Sequence, residues 1–316
     1  MRYPKILALF WLLISLGVSD IQSQSNVETQ KLPVSGSTKI RQKDGMKMVY
    51  IPAGTFMMGT SDAQIDEMLR DNPTWEREWF DDEKPAHEVY TDAFYMDEHE
   101  VTNAQYRKFV EATGRREPEG YSIVKGKLQF GFKPWRDSNY NNPNQPVVCV
   151  SWEDAKDYAE WVGASFPTEA QWEKAARGGL VGKKFPWGDE FPPRELVGNF
   201  ADESAKRVFP DLSIITGYDD GYVYTAPVGK FAPNGYGLYD MAGNVWEWCL
   251  DAYEPDYYGR SPKNNPINDN FTNINSRVLR GGAWFYHGLF ILRCVVRRGD
   301  DPSNSRIGHG FRCCSR

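Results

Sequence analysis

Two acidic residues, Asp240 and Glu247, are the first candidates for chemistry, because they share one glycine- and aromatic-rich stretch. This stretch reads GYGLYDMAGNVWEW over positions 235–248, and its apolar residues follow neither a helical nor a strand period. An unpaired charge among apolar neighbours is costly, and a bound cation would remove that cost. Carboxylates and backbone carbonyls on an irregular loop form the oxygen cage that Ca²⁺ prefers. The alternative is a tight aromatic loop whose two acids face solvent.

A second group of oxygen-bearing residues lies upstream, where Asn199-Phe200 and Asp220-Gly221-Tyr222 flank a long polar segment. The amide of Asn199 and the carboxylate of Asp220 stand beside turn-forming residues and could bind a metal ion. Asn and Asp are also the usual residues of loops, so an ordinary loop remains the alternative.

The cysteines provide no recognisable metal motif. Their number is odd, so at least one thiol is unpaired or pairs outside the chain. None of them forms a C-x-x-C motif, and the sequence therefore indicates neither a zinc site nor a thioredoxin-type site. The five are Cys149, Cys249, Cys294, Cys313 and Cys314.

Three helices with clear start and stop signals must position these candidates. Each begins with a Ser or Thr that is followed three residues later by Gln or Asp, as in a capping box. The predicted N-caps are Thr102, Ser151 and Thr168, and the predicted ends are Gly114, Gly163 and Gly178. Residues 46–51 and 55–59 are predicted to form two strands of one hairpin around a Pro-Ala-Gly turn.

The C-terminal part is predicted to hold short strands that carry several arginines. These guanidinium groups could pair with the acids of the central stretch or with a carboxylate of a ligand. The arginines are Arg280, Arg293, Arg297 and Arg312.

Length and charge limit the class of protein. The chain has 316 residues and a net charge of −6, which argues against general binding to nucleic acid. A basic start, an apolar run from Ile6 to Val18 and small residues up to Ser23 are typical of a secretory signal peptide. We therefore predict a signal peptide over 1–23, a polar linker over 24–43, one domain over 44–316, and export to the periplasm or the outside. No membrane-spanning segment is expected in the mature chain.

The central stretch resembles the signature of the formylglycine-generating enzyme (sulfatase-modifying factor) family. The segments MVYIPAGTFMMG, EVTNAQYRKFV, PVVCVSWEDAKDYAEW and FPTEAQWEKAARGG are also similar to that family, and they follow in the same order. The resemblance covers about residues 44–316. It implies a compact, irregular α+β fold, related to C-type lectin-like domains, with short helices, hairpins and long loops.

The resemblance also implies two calcium ions. Carried over position by position, one set of ligands is Asn199, Phe200, Asp220 and Tyr222, and the other is Asp240, Gly243, Val245 and Glu247. Phe200, Tyr222, Gly243 and Val245 would bind through their backbone carbonyls. Asp240 stands where the family also has Asn, and a carboxylate suits calcium at least as well.

The resemblance is incomplete where the chemistry of the family occurs. Active members oxidise a sulfatase cysteine to formylglycine with O₂, using a copper(I) ion held by two thiolates, which are ligands that Cu(I) prefers. Here Tyr286 occupies the first cysteine position and Ile291 lies near the second. We therefore expect no bound copper, unless Cys249 and Cys149 form another pair. The former pocket would be lined by Trp246, Trp284, Tyr286 and His287.

Three functions remain compatible with the sequence. The first is a calcium-stabilised pseudoenzyme that binds a protein, a peptide or a small molecule. The second is a formylglycine-generating oxidase with non-standard copper ligands. The third is a sulfoxide synthase of the ergothioneine type, which shares this fold but uses iron held by histidines on an additional helical domain. With four histidines in all and no segment for such a domain, the third ranks last.

Overall fold

The computed structural model describes residues 34–124 and 127–316. This part of the chain contains little regular structure, and its α-helices are short. They are α1 (Asp62–Asp71), α2 (Asn103–Thr113), α3 (Trp152–Trp161), α4 (Glu169–Arg177) and α5 (Glu203–Val208). Short 3₁₀ helices cover Arg77–Glu83, Pro134–Arg136 and Tyr257–Arg260. Among the described helices, none is both long enough and apolar enough to span a bilayer.

The predicted capping boxes are confirmed. In α2, α3 and α4 the side chains of Thr102, Ser151 and Thr168 each accept a hydrogen bond from the backbone of the third helical residue. Gly114 and Gly178 end α2 and α4 in the left-handed conformation, as predicted. Helix starts and ends are local features, and for this reason the sequence specifies them well.

Two four-stranded sheets and two two-stranded ribbons complete the fold. The first sheet has the order β1-β2-β5-β12, the second has the order β10-β9-β8-β11, and β3-β4 and β6-β7 form the ribbons. The strands are β1 (Thr38–Ile40), β2 (Lys47–Ile51), β3 (Gly54–Met58), β4 (His87–Thr91), β5 (Phe94–Asp97), β6 (Gly120–Val124), β7 (Lys127–Phe132), β8 (Trp246–Ala252), β9 (Arg277–Arg280), β10 (Arg297–Asp300), β11 (His309–Gly310) and β12 (Cys314–Ser315).

The predicted hairpin of residues 46–59 is wrong in its pairing. Strands β2 and β3 exist, but β2 pairs with β1 and β5, while β3 pairs with β4. The two strands therefore belong to different sheets, and the chain crosses between sheets at Pro52. The pattern of one strand cannot indicate which partner it will find at a distance.

The N-terminal boundary of the domain also differs from the prediction. Strand β1 lies inside the segment 24–43 that was predicted as a linker, and Thr38 pairs with Val49 of β2. Arg41 connects this segment to the core, because its guanidinium donates hydrogen bonds to the carboxylates of Asp44 and Asp97. The fold therefore begins no later than Thr38. The predicted signal peptide lies outside the described residues.

The last three residues of the glycine- and aromatic-rich stretch begin the buried strand β8. The strand is buried on both faces, except for Leu250, and this explains why the sequence shows no alternation there. Trp246 and Trp248 enter the main hydrophobic core, and Cys249 enters a second cluster on the other face. The preceding part of the stretch, up to Val245, is an irregular loop.

Candidate functional site

The first candidate cluster, called the Asn199 cluster, contains Asn199, Phe200, Asp220 and Tyr222, which the structure brings together. Asp220 Oδ2 accepts hydrogen bonds from the Phe200 amide at 2.9 Å and from Asn199 Nδ2 at 3.2 Å, and Asp220 Oδ1 accepts from the Tyr222 amide at 2.7 Å. Asn199 is fully buried, and its Oδ1 atom has no partner. Burial, together with the negative charge of the nearby Asp202, raises the pKa of Asp220 to about 7.

The second candidate cluster, called the Asp240 cluster, contains Asp240, Gly243, Val245 and Glu247. Asp240 is buried, its Oδ2 accepts from the Gly229 amide at 2.8 Å, and its Oδ1 has no partner. Burial raises the pKa of Asp240 to about 6. A pocket of about 290 Å³ that Asp240 and Met241 help to line leads from this carboxylate towards solvent.

Glu247 differs from Asp240, because the guanidinium of Arg312 already pairs with its carboxylate. Its two carboxylate oxygens accept hydrogen bonds from Arg312 Nη2 and Nε, both at 2.7 Å, and Trp172 Nε1 donates to Oε2 at 2.8 Å. The predicted pairing of a C-terminal arginine with an acid of the central stretch is therefore confirmed for Arg312. The other three pair elsewhere: Arg280 with Glu169 and Glu173, Arg293 with Glu83, and Arg297 with Glu169.

Glu100 joins the Asp240 cluster, and the sequence reasoning missed it. It is fully buried, Oε2 accepts from Asn244 Nδ2 at 3.3 Å, and Oε1 has no partner. Burial raises the pKa of Glu100 well above its usual value, and the negative charge of Asp240 raises it further. Three buried carboxylates thus face one guanidinium, that of Arg312. The only signal in the sequence was an acid two residues before Thr102, where the capping box begins.

The four predicted carbonyl ligands share one property. Within the described backbone, no amide donates to the carbonyl oxygen of any of them. Free carbonyls in a buried loop are uncommon, because backbone acceptors are normally paired. The residues are Phe200, Tyr222, Gly243 and Val245.

The two clusters touch each other. Asn244 N donates to Asn199 O at 2.9 Å, so the two loops are joined at the backbone. This approach depends on Gly243, whose φ is +82° and where a Cβ atom would lie 2.2 Å from Asn199 O. A side chain at position 243 is therefore excluded, whatever its chemistry.

These atoms suit a hard cation only if amide and carbonyl oxygens take part. Among residues 34–124 and 127–316, no group of three or more His, Cys, Asp or Glu side chains is arranged to hold a metal ion. Asn199 Oδ1, Asp240 Oδ1, Glu100 Oε1 and the free carbonyls are oxygen atoms, as calcium requires. The donor set therefore fits calcium and does not resemble a zinc or iron site.

The residues expected around the former copper pocket are only partly together. Trp246 and Tyr286 meet edge to face, with ring centroids 5.8 Å apart, and Phe285 joins Tyr286 to Trp284. We call Trp246, Trp284, Phe285 and Tyr286 the aromatic cluster. His287 is exposed and has no hydrogen-bond partner among the described residues, so its expected place in the pocket lining is not supported. Phe285, which the sequence did not point to, contacts Trp284 and Tyr286 instead of His287.

The thiols offer no replacement for the expected copper ligands. All five cysteines are buried and none forms a disulfide. Cys149 packs beside Trp284, whereas Cys249 lies in a different hydrophobic cluster with Trp172. Burial raises the pKa of Cys149 and of Cys249 well above the usual thiol value, which disfavours the thiolate that binds metals. The two cysteines are therefore not a pair.

A family model and a sequence relative identify the family. The model of the sulfatase-modifying factor enzyme 1-like domain matches residues 35–316. The formylglycine-generating enzyme of Mus musculus is 38% identical over 300 residues, which cover 85% of this chain and 75% of that protein. The chain belongs to the formylglycine-generating enzyme family. Its compact, irregular α+β fold is the fold of this family, as the resemblance implied.

Two further comparisons show the range of this family. The structure of PvdO from Pseudomonas aeruginosa matches with a TM-score of 0.70 and 30% identity, covering 90% of this chain and 99% of that one. The inactive C-alpha-formylglycine-generating enzyme 2 of Mus musculus is 33% identical over 304 residues. The matched region covers 85% of this chain and 85% of that protein.

Tyr286 and Ile291, which the resemblance puts at and near the two copper-binding positions of the family, do not provide ligands that fit copper(I). Tyr286 presents a phenol, and its ring packs against two hydrophobic clusters. Ile291 presents a hydrocarbon side chain that packs against the main core. Neither supplies a soft thiolate, which is the ligand that holds Cu(I).

Proposed function

We propose that this family member is an exported, calcium-stabilised binding module that does not catalyse the copper-dependent oxidation. One observation carries the proposal: the resemblance puts Tyr286 at the first thiolate position and Ile291 near the second, and all five cysteines are buried elsewhere in the core. The module binds its ligand at the aromatic cluster.

The non-oxidase part has support from a relative. A mouse protein that is 33% identical over 304 residues bears the name inactive C-alpha-formylglycine-generating enzyme 2. Loss of the oxidase activity within the family is thus compatible with retention of the domain. A fold that keeps its core while losing two reactive side chains can serve as a binding surface.

The calcium part is supported by unpaired oxygens. Asn199 Oδ1, Asp240 Oδ1 and Glu100 Oε1 are buried without a partner, and such atoms destabilise a fold unless something binds them. The free carbonyls complete each oxygen set. A divalent cation beside Asp240 would also balance the excess of buried negative charge that Arg312 leaves.

Export is supported only by the N-terminal sequence, where a basic start precedes the apolar run from Ile6 to Val18. A secreted or periplasmic protein meets millimolar calcium outside cells, a concentration at which even weak sites of extracellular modules are occupied.

Binding of Cu(I) tests the proposal at the level of ligands. We would titrate the protein with Cu(I) against a competing chelator, beside the double variant Tyr286→Cys/Ile291→Cys. The native chain should take no Cu(I) from the chelator, and the double variant should gain one site. Tight binding of one equivalent of Cu(I) by the native chain would overturn the non-oxidase proposal.

A further inference from the structure

We propose that Arg298 and the hydroxyl of Tyr286 form a subsite for an oxyanion attached to a flat apolar group, such as an aromatic carboxylate. The inference rests on the proposed binding role of the aromatic cluster and names the class of ligand that it takes.

Strand β10 sends its two arginines in opposite directions, because successive side chains of a strand point to opposite faces. Arg297 points inward, where it is buried and pairs with Glu169 at 2.7 Å. Arg298 is exposed, and its Nη1 donates to Tyr286 Oη at 3.0 Å. The guanidinium of Arg298 therefore lies at the edge of the aromatic cluster.

Arg298 keeps its charge uncompensated. No carboxylate in residues 34–124 or 127–316 forms an ion pair with it, whereas the neighbouring Arg306 pairs with Asp300 at 2.9 Å. Because Tyr286 Oη accepts from Arg298, its own hydrogen remains available to donate. Arg298 has further N–H groups in a planar fork, a geometry that matches the two oxygens of a carboxylate or sulfate.

The buried indoles supply an independent observation. Trp246 is 2% exposed and Trp284 is 8% exposed, yet the Nε1 atom of each has no hydrogen-bond partner. Both rings belong to the aromatic cluster that contains Tyr286. Both unpaired indole nitrogens are donors, so a ligand group that satisfies them must be a hydrogen-bond acceptor.

Two arginines lie near this cluster, and they differ in their counter-ions. His309 lies beside Trp246 in the parallel pairing of β11 with β8, and its Nε2 atom is 3.6 Å from Asp300, which also pairs with Arg306. Among the described residues, Arg298 bonds to Tyr286 and has no carboxylate partner.

The apolar part of the ligand would lie on rings. Phe285 and Tyr286 are half-buried, and their centroids are 4.8 Å apart. Their remaining surface is flat and aromatic, which favours stacking with another flat group. An oxyanion held by Arg298 would place such a group over these rings.

The indole resonances of protein labelled with ¹⁵N-tryptophan test this inference directly. We would titrate the calcium-loaded protein with phenylacetate and with phenyl sulfate, and assign the signals with Trp246→Phe and Trp284→Phe. Phenylacetamide is the neutral control. The indole signal of Trp246 should move saturably with an anion, and the tighter of the two anions identifies the preferred oxyanion.

Two variants of equal charge change make the result specific. Arg298→Gln should weaken binding about tenfold, because a charge-assisted hydrogen-bond pair is lost. Arg194→Gln removes an exposed arginine that pairs with Glu190, and should bind like the native chain. The inference is overturned if neither anion moves the Trp246 signal, if the amide moves it equally, or if both variants bind alike. Each of these results would leave the non-oxidase proposal standing, since that depends on copper binding and aldehyde formation.

Discussion

The backbone amide of Ala201 donates a hydrogen bond to the carbonyl oxygen of Tyr286 at 2.9 Å. A second bond, from the Trp284 amide to Asn244 O, also has a length of 2.9 Å. Each of the two oxygen clusters is thus joined at the backbone to the segment that carries the aromatic cluster. A cation that orders residues 199–201 or 243–245 would order Trp284 and Tyr286 as well.

This connection predicts that calcium protects the aromatic cluster from hydrogen exchange. In EGTA, amides of residues 283–291 should exchange faster than in calcium, because the loops that hold them open more often. Helix α2, which is capped by its own side chains, should change less. Mass spectrometry of peptic fragments measures both segments in one experiment. Equal protection of residues 283–291 in the two buffers would contradict the connection.

Calcium should stabilise the protein through Asp220. At a concentration 100 times the dissociation constant, one site adds about 2.7 kcal/mol to the free energy of unfolding. Asp220→Asn should lose this increment, whereas Asp219→Asn, which changes an exposed neighbour that pairs with Arg207, should keep it. Thermal unfolding in calcium and in EGTA measures the difference. An equal response to calcium in both variants would show that the Asn199 cluster binds no calcium.

Glu100→Gln should change the free energy of unfolding in opposite directions with and without calcium. Without metal, the substitution removes one of three buried carboxylates around a single guanidinium, and so it should stabilise the fold. With calcium, it replaces a charged carboxylate ligand by a neutral amide, and so it should destabilise the fold relative to the native chain. Glu98→Gln, at a half-buried position that pairs with Lys47, is the matched control and should show no reversal. Urea unfolding in both buffers measures the change in the free energy of unfolding that Glu100→Gln causes. A change of the same sign with and without calcium would contradict the assignment of Glu100 as a ligand.

Asp251 should make stability depend on pH. Burial, together with the negative charge of Glu169, raises the pKa of Asp251 to about 7. A raised pKa means that the folded state holds a proton which the unfolded state releases, so the contribution of this group is present at low pH and is lost as pH rises from about 4 to 7. Relative to Asp251→Asn, the native chain should lose up to roughly 4 kcal/mol over this range, since one pKa unit corresponds to about 1.4 kcal/mol.

Urea unfolding between pH 4 and pH 8 measures this loss. Asp256→Asn, which changes an exposed carboxylate that pairs with Arg260, provides the control and should stay parallel to the native chain. A stability difference between the native chain and Asp251→Asn that does not vary with pH would show that Asp251 titrates normally.

Features that depend on residues close together in the chain could be predicted from the sequence, whereas the pairing of distant strands could not. The starts of α2, α3 and α4 follow from single capping residues, which act within four positions of the chain. The pairing of β2 with β5 joins residues that are 43 positions apart at Ile51–Phe94 and 49 positions apart at Met48–Asp97, and no pattern in β2 specifies it. The sequence predicted the strand correctly and its partner incorrectly for this reason.

The candidate site shows the same limit. The resemblance grouped Asn199 with Asp220, and the structure brings these two residues into contact. That either cluster binds calcium stays a prediction. The resemblance did not include Glu100, which lies 144 positions from its partner Asn244. The choice of Arg312 as the partner of Glu247 among several arginines also needed the fold, since only the packing decides which guanidinium reaches a given carboxylate.

Formation of an aldehyde on a sulfatase peptide tests the central proposal most directly. We would incubate the mature domain, supplied with Cu(I) and calcium in air, with a Cys-x-Pro-x-Arg peptide and follow the mass of the peptide. The mouse formylglycine-generating enzyme provides the positive control. The proposal predicts an unchanged peptide with this chain and an aldehyde with the control. Formation of the aldehyde by this chain would contradict the non-oxidase function and would require copper ligands other than Tyr286 and Ile291.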